Sequence, residues 1–266
     1  MTRNRRVFGL LRRMAASLLC ILLAILFYRH YRALNPPDLT WMRVQDSGVL
    51  RIGMDTSYPP FSALVDGAPA GLDVDLALEI AQRLGVRAQI VPLGIDGLYD
   101  ALITGHVDAL ITALVFDPAR LGDVRYTRPY LDAGQVIVSR GGLSDMESLE
   151  GMTVAVEYGS AGDELARRWT RRLAALTVTR HMGPDAALEA VIRGEADAAL
   201  VDHVSARLFR RAHTDSGLVI AADSALPDPY VIAVALPGRM LVAALDAALA
   251  AMEADGTLAT LIARWL

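Results

Sequence analysis

Two charged residues of opposite chemistry each stand just beyond an apolar run. Arg120 follows Asp117-Pro118-Ala119, in which Asp117 suits a helix N-cap and Pro118 the first helical position. The spacing predicts Arg120 in a first helical turn, beside free backbone N–H groups that favour an anion. Its guanidinium is suited to gripping a carboxylate through two parallel charge-assisted hydrogen bonds. The alternative is an arginine on a solvated helix. Asp202 directly follows the apolar Ala198-Ala199-Leu200-Val201. A carboxylate there is costly unless it meets a cation, and it is equally suited to capping a helix from Val204 onward. Ser160 and Asp163 in Gly159-Ser160-Ala161-Gly162-Asp163 have capping-box spacing at the start of another helix.

Ligands of open α/β sheets gather at the carboxyl ends of strands, so the strands decide which residues can meet. Val49–Gly53 reads as a strand, Asp73–Leu84 as an amphipathic helix stopped by Gly85, and Val86–Val91 as a second strand. A helix over Gly97–Thr104 and a strand over Asp108–Thr112 follow, with a further strand–helix unit at Thr153–Val156 and Gly162–Leu176. This alternation implies mainly parallel sheets covered by helices. Residues 101–111 (ALITGHVDALI) match 190–200 (AVIRGEADAAL) nearly position for position: a helix, a glycine, an Asp-Ala entry and a buried strand. Two similar lobes explain that recurrence. The expected organisation is lobe 1 over 45–137 and 230–266 and lobe 2 over 138–229. Gln135–Ser139 and Pro229–Val234 are the candidate hinges, and Leu241–Leu266 is a helical return onto lobe 1.

Several function classes are excluded by composition. Residues 1–37 hold seven arginines and no acidic residue, leaving 19 of the 26 basic residues against all 30 acidic ones, a net charge of −11 on the body. So acidic a body argues against a nucleic-acid partner. Cys20 is the only cysteine and the five histidines are scattered, so neither an intrachain disulfide nor a metal site is expected. No Ser–His–Asp spacing or phosphate loop is present; no cofactor and no catalytic residue is expected.

Met14–Tyr28 is an uncharged, largely apolar run with five arginines before it and two after. That asymmetry favours a cytoplasmic N-terminus and an exported body. Leu23–Asn35 offers no A-x-A cleavage site. Fifteen helical residues rise only ~22 Å against a ~30 Å hydrocarbon core, a gap that snorkelling of Arg12, Arg13 and Arg29 can bridge. The segment 1–32 is therefore expected to be a membrane anchor at the periplasmic face of the inner membrane, with release after signal cleavage as the alternative. A linker at 33–44 contains Pro36-Pro37.

Gly71-Leu72-Asp73-Val74-Asp75-Leu76, then Ile80-Ala81 and Leu84, resembles the signature of the solute-binding proteins of amino-acid ABC importers. The likeness runs on through Tyr58-Pro59-Pro60-Phe61, Tyr126-Thr127-Arg128-Pro129-Tyr130, Ser148-Leu149-Glu150-Gly151 and Ala254-Asp255-Gly256-Thr257, covering about residues 45–266. The resemblance implies a two-lobed α/β fold of the periplasmic-binding-protein type II class, hinge closure on an amino acid, and an ABC importer permease as partner. It implies that Arg120 binds the ligand carboxylate and Asp202 its ammonium, a two-ended clamp for a zwitterion. It further implies that Tyr58 covers the ligand, with core packing against Phe61 as the alternative. Asp55 and Thr112 join the pocket, Ser160 and the Ala161 amide are offered to the carboxylate, and Glu157 meets the ligand side chain.

The chain departs from that pattern at Val115, where a hydroxyl is usual, and at Ile95, where an aromatic often stacks. Each loss removes about 1–3 kcal/mol of binding at most. Surplus negative charge from Asp55 and Glu157 suits a cationic or amide side chain, unless Glu157 is a surface residue. The competing readings are an exported dehydratase of the same fold, which carries a glutamate where Ser205 stands here, and a membrane-tethered ligand sensor.

Overall fold

A glycine in the left-handed region ends two helices of this chain and turns each into a buried strand. In the computed structural model, which describes residues 17–30 and 37–266, these are Gly105 (φ 74°) and Gly194 (φ 73°). Helices α1 (17–30) and α2 (Leu39–Ser47) come first. Strand β1 (Val49–Met54), the small antiparallel sheet β2–β3–β4 (Ser57–Tyr58, Ser62–Val65, Ala68–Ala70) and α3 (Leu72–Arg83) follow. Next are β5 (Arg87–Pro92), α4 (Leu98–Ile103), β6 (Ala109–Leu110), β7 (Val124–Tyr126) and β8 (Leu131–Asp132). The second unit holds β9 (Gln135–Ser139), β10 (Thr153–Glu157), α5 (Ala161–Trp169), β11 (Thr177–His181), α6 (Pro184–Ile192), β12 (Ala198–Asp202), α7 (His203–Ala212) and β13 (Val219–Ile220). The chain returns through β14 (Pro229–Tyr230), β15 (Ala233–Ala235), α8 (Arg239–Ala254) and α9 (Thr257–Trp265).

The two large sheets have the same plan. One runs β5-β1-β6-β15-β7 and the other β11-β10-β12-β9-β13. In each, three parallel strands meet an antiparallel strand at the fourth position. The repeat in the sequence supplies the central strand of both. Asp108 and Asp197, equivalent in that repeat, each accept the amide of the neighbouring strand, Arg51 N–H at 2.9 Å and Thr153 N–H at 2.8 Å. The second sheet is covered on both faces. Ile137, Val154, Val156 and Leu200 pack against α5 through Leu165 and Ala166, while Val136, Ala155 and Val201 pack against α6 and α7. The first sheet buries Leu50, Ile52 and Ile111 under α3 and α8. The carboxylate of Asp38, almost fully buried, caps α2 by accepting Trp41 N–H and caps α8 by accepting Met240 and Leu241 N–H.

Three sequence expectations are revised. The helix expected to reach Leu176 stops at Trp169, where the chain tightens into turns, Arg172 and Leu173 N–H both bonding Trp169 O. The helical return is broken between α8 and α9 at Gly256, whose φ is 79°. The helix expected after Asp117 is a single 3₁₀ turn, Pro118–Arg120. Of the N-terminal segment, residues 1–16 and 31–36 lie outside the described residues. Residues 17–30 are helical and exposed, and among the described residues no helix is long and apolar enough to cross a membrane.

The chain passes between the sheets twice, where β8 and β14 pair antiparallel. Gln135 N–H donates to Leu226 O at 2.8 Å, and one oxygen of Asp132 accepts both Gly134 N–H (2.9 Å) and Asp228 N–H (2.8 Å). A Cβ on Gly134 would stand 2.1 Å from Leu226 O and 2.7 Å from Asp228 N. Gly134→Ala should therefore force the crossing strands apart and cost about 2 kcal/mol or more, seen as a lower urea midpoint; an unchanged midpoint would show that the crossing is not tightly packed.

Candidate functional site

Asp55 directly follows the first strand of the body, and its N–H donates to Thr112 Oγ1 at 2.9 Å. The Asp55 carboxylate turns back on Ser57, accepting its N–H (3.0 Å) and Oγ–H (2.6 Å). With Tyr58, Val115, Asp228 and Tyr230, these residues line an open cavity of about 470 Å³. Tyr58 is half exposed and stacks on Phe61 at 5.5 Å, so it packs and faces the cavity at once. Phe61 in turn meets Tyr230 edge-on at 5.3 Å. Asp228 and Tyr230 were not singled out from the sequence; the Pro227-Asp228-Pro229 punctuation marks a break there without pointing to a ligand. Burial and the neighbouring Asp132 push the Asp228 carboxyl above its ordinary range.

The floor of this cavity is held by a residue that the sequence offers as part of a helix and of the Gly71–Leu76 signature, without a role in the site. Asp73, fully buried at the start of α3, accepts Tyr130 Oη–H at 2.8 Å and Ala113 N–H at 2.5 Å. Ala113 lines the cavity with φ 46°, in the left-handed region that disfavours a side chain. Burial pushes the Asp73 carboxyl up to about 7, against the two hydrogen bonds that favour its ionised form.

The second sheet presents its own edge. Asp202 ends β12 and caps α7 by accepting Ser205 N–H at 2.8 Å. It also lies near enough to Tyr230 to raise that phenol, after burial, Tyr58 and Asp228. Ser160 caps α5, accepting Asp163 N–H at 3.2 Å and donating to Glu157 O at 2.9 Å. Its hydroxyl is thus engaged on both sides. Ala161 is exposed at the first helical position, where its amide has no intrahelical acceptor. Glu157 is half-buried at the end of β10, opposite His181 in register.

Arg120 is exposed, with its guanidinium 4.6 Å over the Tyr99 ring, one residue from the cavity-lining Leu98. The free amides expected beside it are absent: Ala119 N–H bonds Asp117 Oδ1, Arg120 N–H bonds Asp117 O, and Pro118 has none. Asp55, Tyr58 and Thr112 are thus brought together on one lobe, and Asp202, Ser160, Ala161 and Glu157 lie at one edge of the other. Arg120 stands beside the first group without lining its cavity.

The chain is similar to known proteins over most of its length. The profile of the bacterial extracellular solute-binding proteins, family 3, matches residues 50–266. The L-cystine-binding protein TcyJ of Escherichia coli K12 is 28% identical over 84% of this chain and 84% of its own. The cyclohexadienyl dehydratase of Pseudomonas aeruginosa PAO1 is 26% identical over 65% of this chain and 66% of its own. Among solved structures, an ancestral cationic amino acid solute-binding protein is 27% identical, with a TM-score of 0.60 over 85% of this chain and 99% of that one.

The Asp73 carboxyl is raised on folding, so the folded state keeps a proton that the unfolded chain releases between about pH 4 and pH 7. Its contribution is most favourable below that window and is lost as pH rises through it. Asp73→Asn removes the ionisation, so its stability relative to the wild type should rise across pH 4–7 by up to about 4 kcal/mol. Urea titrations at several pH values check this; parallel curves for the two proteins would contradict it.

Proposed function

The chain belongs to the bacterial extracellular solute-binding proteins, family 3, and on that premise we propose that it is the extracytoplasmic substrate-binding component of an ABC-type importer for a cationic amino acid. Two lobes that present complementary edges on either side of two crossing strands close on the ligand, and the importer permease recognises the closed form. The reading includes the expected lobe boundaries, 45–137 with 230–266 and 138–229. It also includes residues 1–32 as a membrane anchor or a signal removed after export, leaving the body at the periplasmic face of the inner membrane.

The observation that carries this reading is the placement of acidic groups around one cleft. Asp55 and Asp228 line the cavity of lobe 1, while Asp202, at the end of β12, is near enough to the cavity-lining Tyr230 for its charge to act on that phenol. With Asp202 on the ligand ammonium, Asp55 and Asp228 remain for a positively charged side chain. Glu157 extends the same negative edge. Arg120 leaves Tyr99 on closure to take the carboxylate, joined by the Ala161 amide at the start of α5. Thr112 and Tyr58 shape the wall, and Ser160 holds the helix that delivers Ala161.

No chemistry on the ligand is proposed. A second reading, an exported dehydratase, is favoured by the relative with that activity in its name. Against it, Ser205 stands where that branch carries a glutamate, and its amide is engaged by Asp202.

Calorimetric titration of the chain with the twenty amino acids, after removal of carried-over ligand by unfolding and refolding, tests the proposal. Arginine, lysine or histidine should bind at micromolar Kd or tighter, and Arg120→Ala or Asp202→Ala should each cost about 2–5 kcal/mol. Preference for small apolar amino acids would overturn the cationic assignment. Unchanged affinity in both variants would overturn the clamp.

A further inference from the structure

Four arginines of this acidic body pair with an acid four residues earlier: Arg83, Arg167, Arg168 and Arg193. Helix α7 is different. His203, Arg207 and Arg210 lie at helical spacing on one face, and no acid stands three or four residues from either arginine. Among the described residues neither arginine forms an ion pair, even with Asp223, the chain neighbour of Ala222.

This face meets the segment after β13 at a cavity of about 150 Å³, lined by His203, Arg207, Arg210, Ile220, Ala221 and Ala222. The cavity shares no residue with that of lobe 1. It has room for several waters at about 30 Å³ each, and so for an oxyanion the size of phosphate. His203 sets the orientation of Arg207. A guanidinium N–H can only donate, so the His203 Nε2 that Arg207 Nε meets at 2.9 Å is the acceptor. The ring is then neutral, with Nδ1–H donating to Asp132 O at 3.1 Å. Burial and the Arg207 charge lower this imidazole from its ordinary value, in keeping with that tautomer.

The Nε edge of Arg207 is thereby spent, while its two Nη groups meet no acceptor among the described residues. Arg207 is half-buried, and burial and then the Arg210 charge lower its guanidinium from its ordinary value. A half-buried cation beside a second cation, with no acid to offset either, is costly unless an anion fills the space between them.

We propose that this cavity binds a small oxyanion of the phosphate or sulfate class, Arg207 donating through its paired Nη groups and Arg210 closing over it from the rim. Two guanidinium charges match a dianion, and the planar fork of Arg207 suits two oxygens of one ion. The site goes beyond amino-acid binding and does not depend on it. It lies at the start of α7, where His203 N–H bonds Gly134 O, so a bound anion is held beside the crossing strands.

Calorimetric titration of the full chain with inorganic phosphate, near neutral pH and at constant ionic strength, tests the site in the wild type, Arg207→Gln, Arg210→Gln and Arg171→Gln. Arg171 lines a second arginine-rich hollow at the end of α5 and serves as the control. The wild type should bind phosphate at sub-millimolar Kd, and Arg171→Gln should match it. Arg207→Gln and Arg210→Gln should each bind ~10-fold more weakly or worse, and Arg207→Gln should melt at an equal or higher Tm when empty. Sulfate should compete within ~3-fold of phosphate and chloride at least ~10-fold more weakly. No phosphate binding by the wild type overturns the inference, as does unchanged affinity in both Arg207→Gln and Arg210→Gln. Loss in Arg171→Gln alone places the anion at α5 and overturns it too. Chloride competing as well as sulfate marks charge screening and overturns the oxyanion assignment. If Arg207→Gln does not fold, the exposed Arg210→Gln decides by the same criterion.

Discussion

Everything in this molecule that concerns a ligand depends on how the chain crosses between its two sheets. Among the described residues two segments make that passage, and one carboxylate, Asp132, holds an amide from each. Gly134 sits where the segments approach most closely, with no room for a side chain. Two paired strands with a short ladder resist shear along their length and bend easily across it, which is the mechanical requirement of a hinge. The start of α7 leans on the same point, His203 N–H bonding Gly134 O and Val204 packing against the core of lobe 1. In the proposed closure, the crossing would fix the axis of motion while leaving its angle free.

The cleft edges inherit their order from that arrangement. Each sheet places the carboxyl ends of its parallel strands toward the crossing, and each helix that follows points its N-terminus there. Asp202 and Ser160 are spent as caps before any ligand arrives. Asp202 keeps lone pairs beyond the one used in capping, whereas the Ser160 hydroxyl is engaged on both sides. On lobe 1, Asp73 fixes Ala113 in a strained conformation, so the wall of the cavity is set by a buried group that ligand never touches.

What the sequence made legible is what local rules control. The duplicated helix–glycine–strand unit predicted two alike sheets, and both copies occupy the central position with nearly equal φ at Gly105 and Gly194. Asp202 was found because a charge directly after an apolar strand is conspicuous. Less legible were features decided by partners distant in the chain. Asp228 reaches the cavity only through the return of the chain, and Asp73 meets Ala113 forty residues away. The helix expected at Arg120 differs for another reason: an N-cap and a proline signal a helix start but not its length, and the helix ends after one 3₁₀ turn.

The account stands on lobe closure around a bound cationic amino acid, and distance is the direct readout. With Cys20 replaced by serine and a single cysteine placed for a dye on the exposed surface of each lobe, resonance energy transfer should report one distance for the empty protein. Saturating arginine or lysine should shorten it, with a midpoint equal to the calorimetric Kd. Tight binding with no change in transfer efficiency would contradict closure and leave a rigid pocket on one lobe as the site.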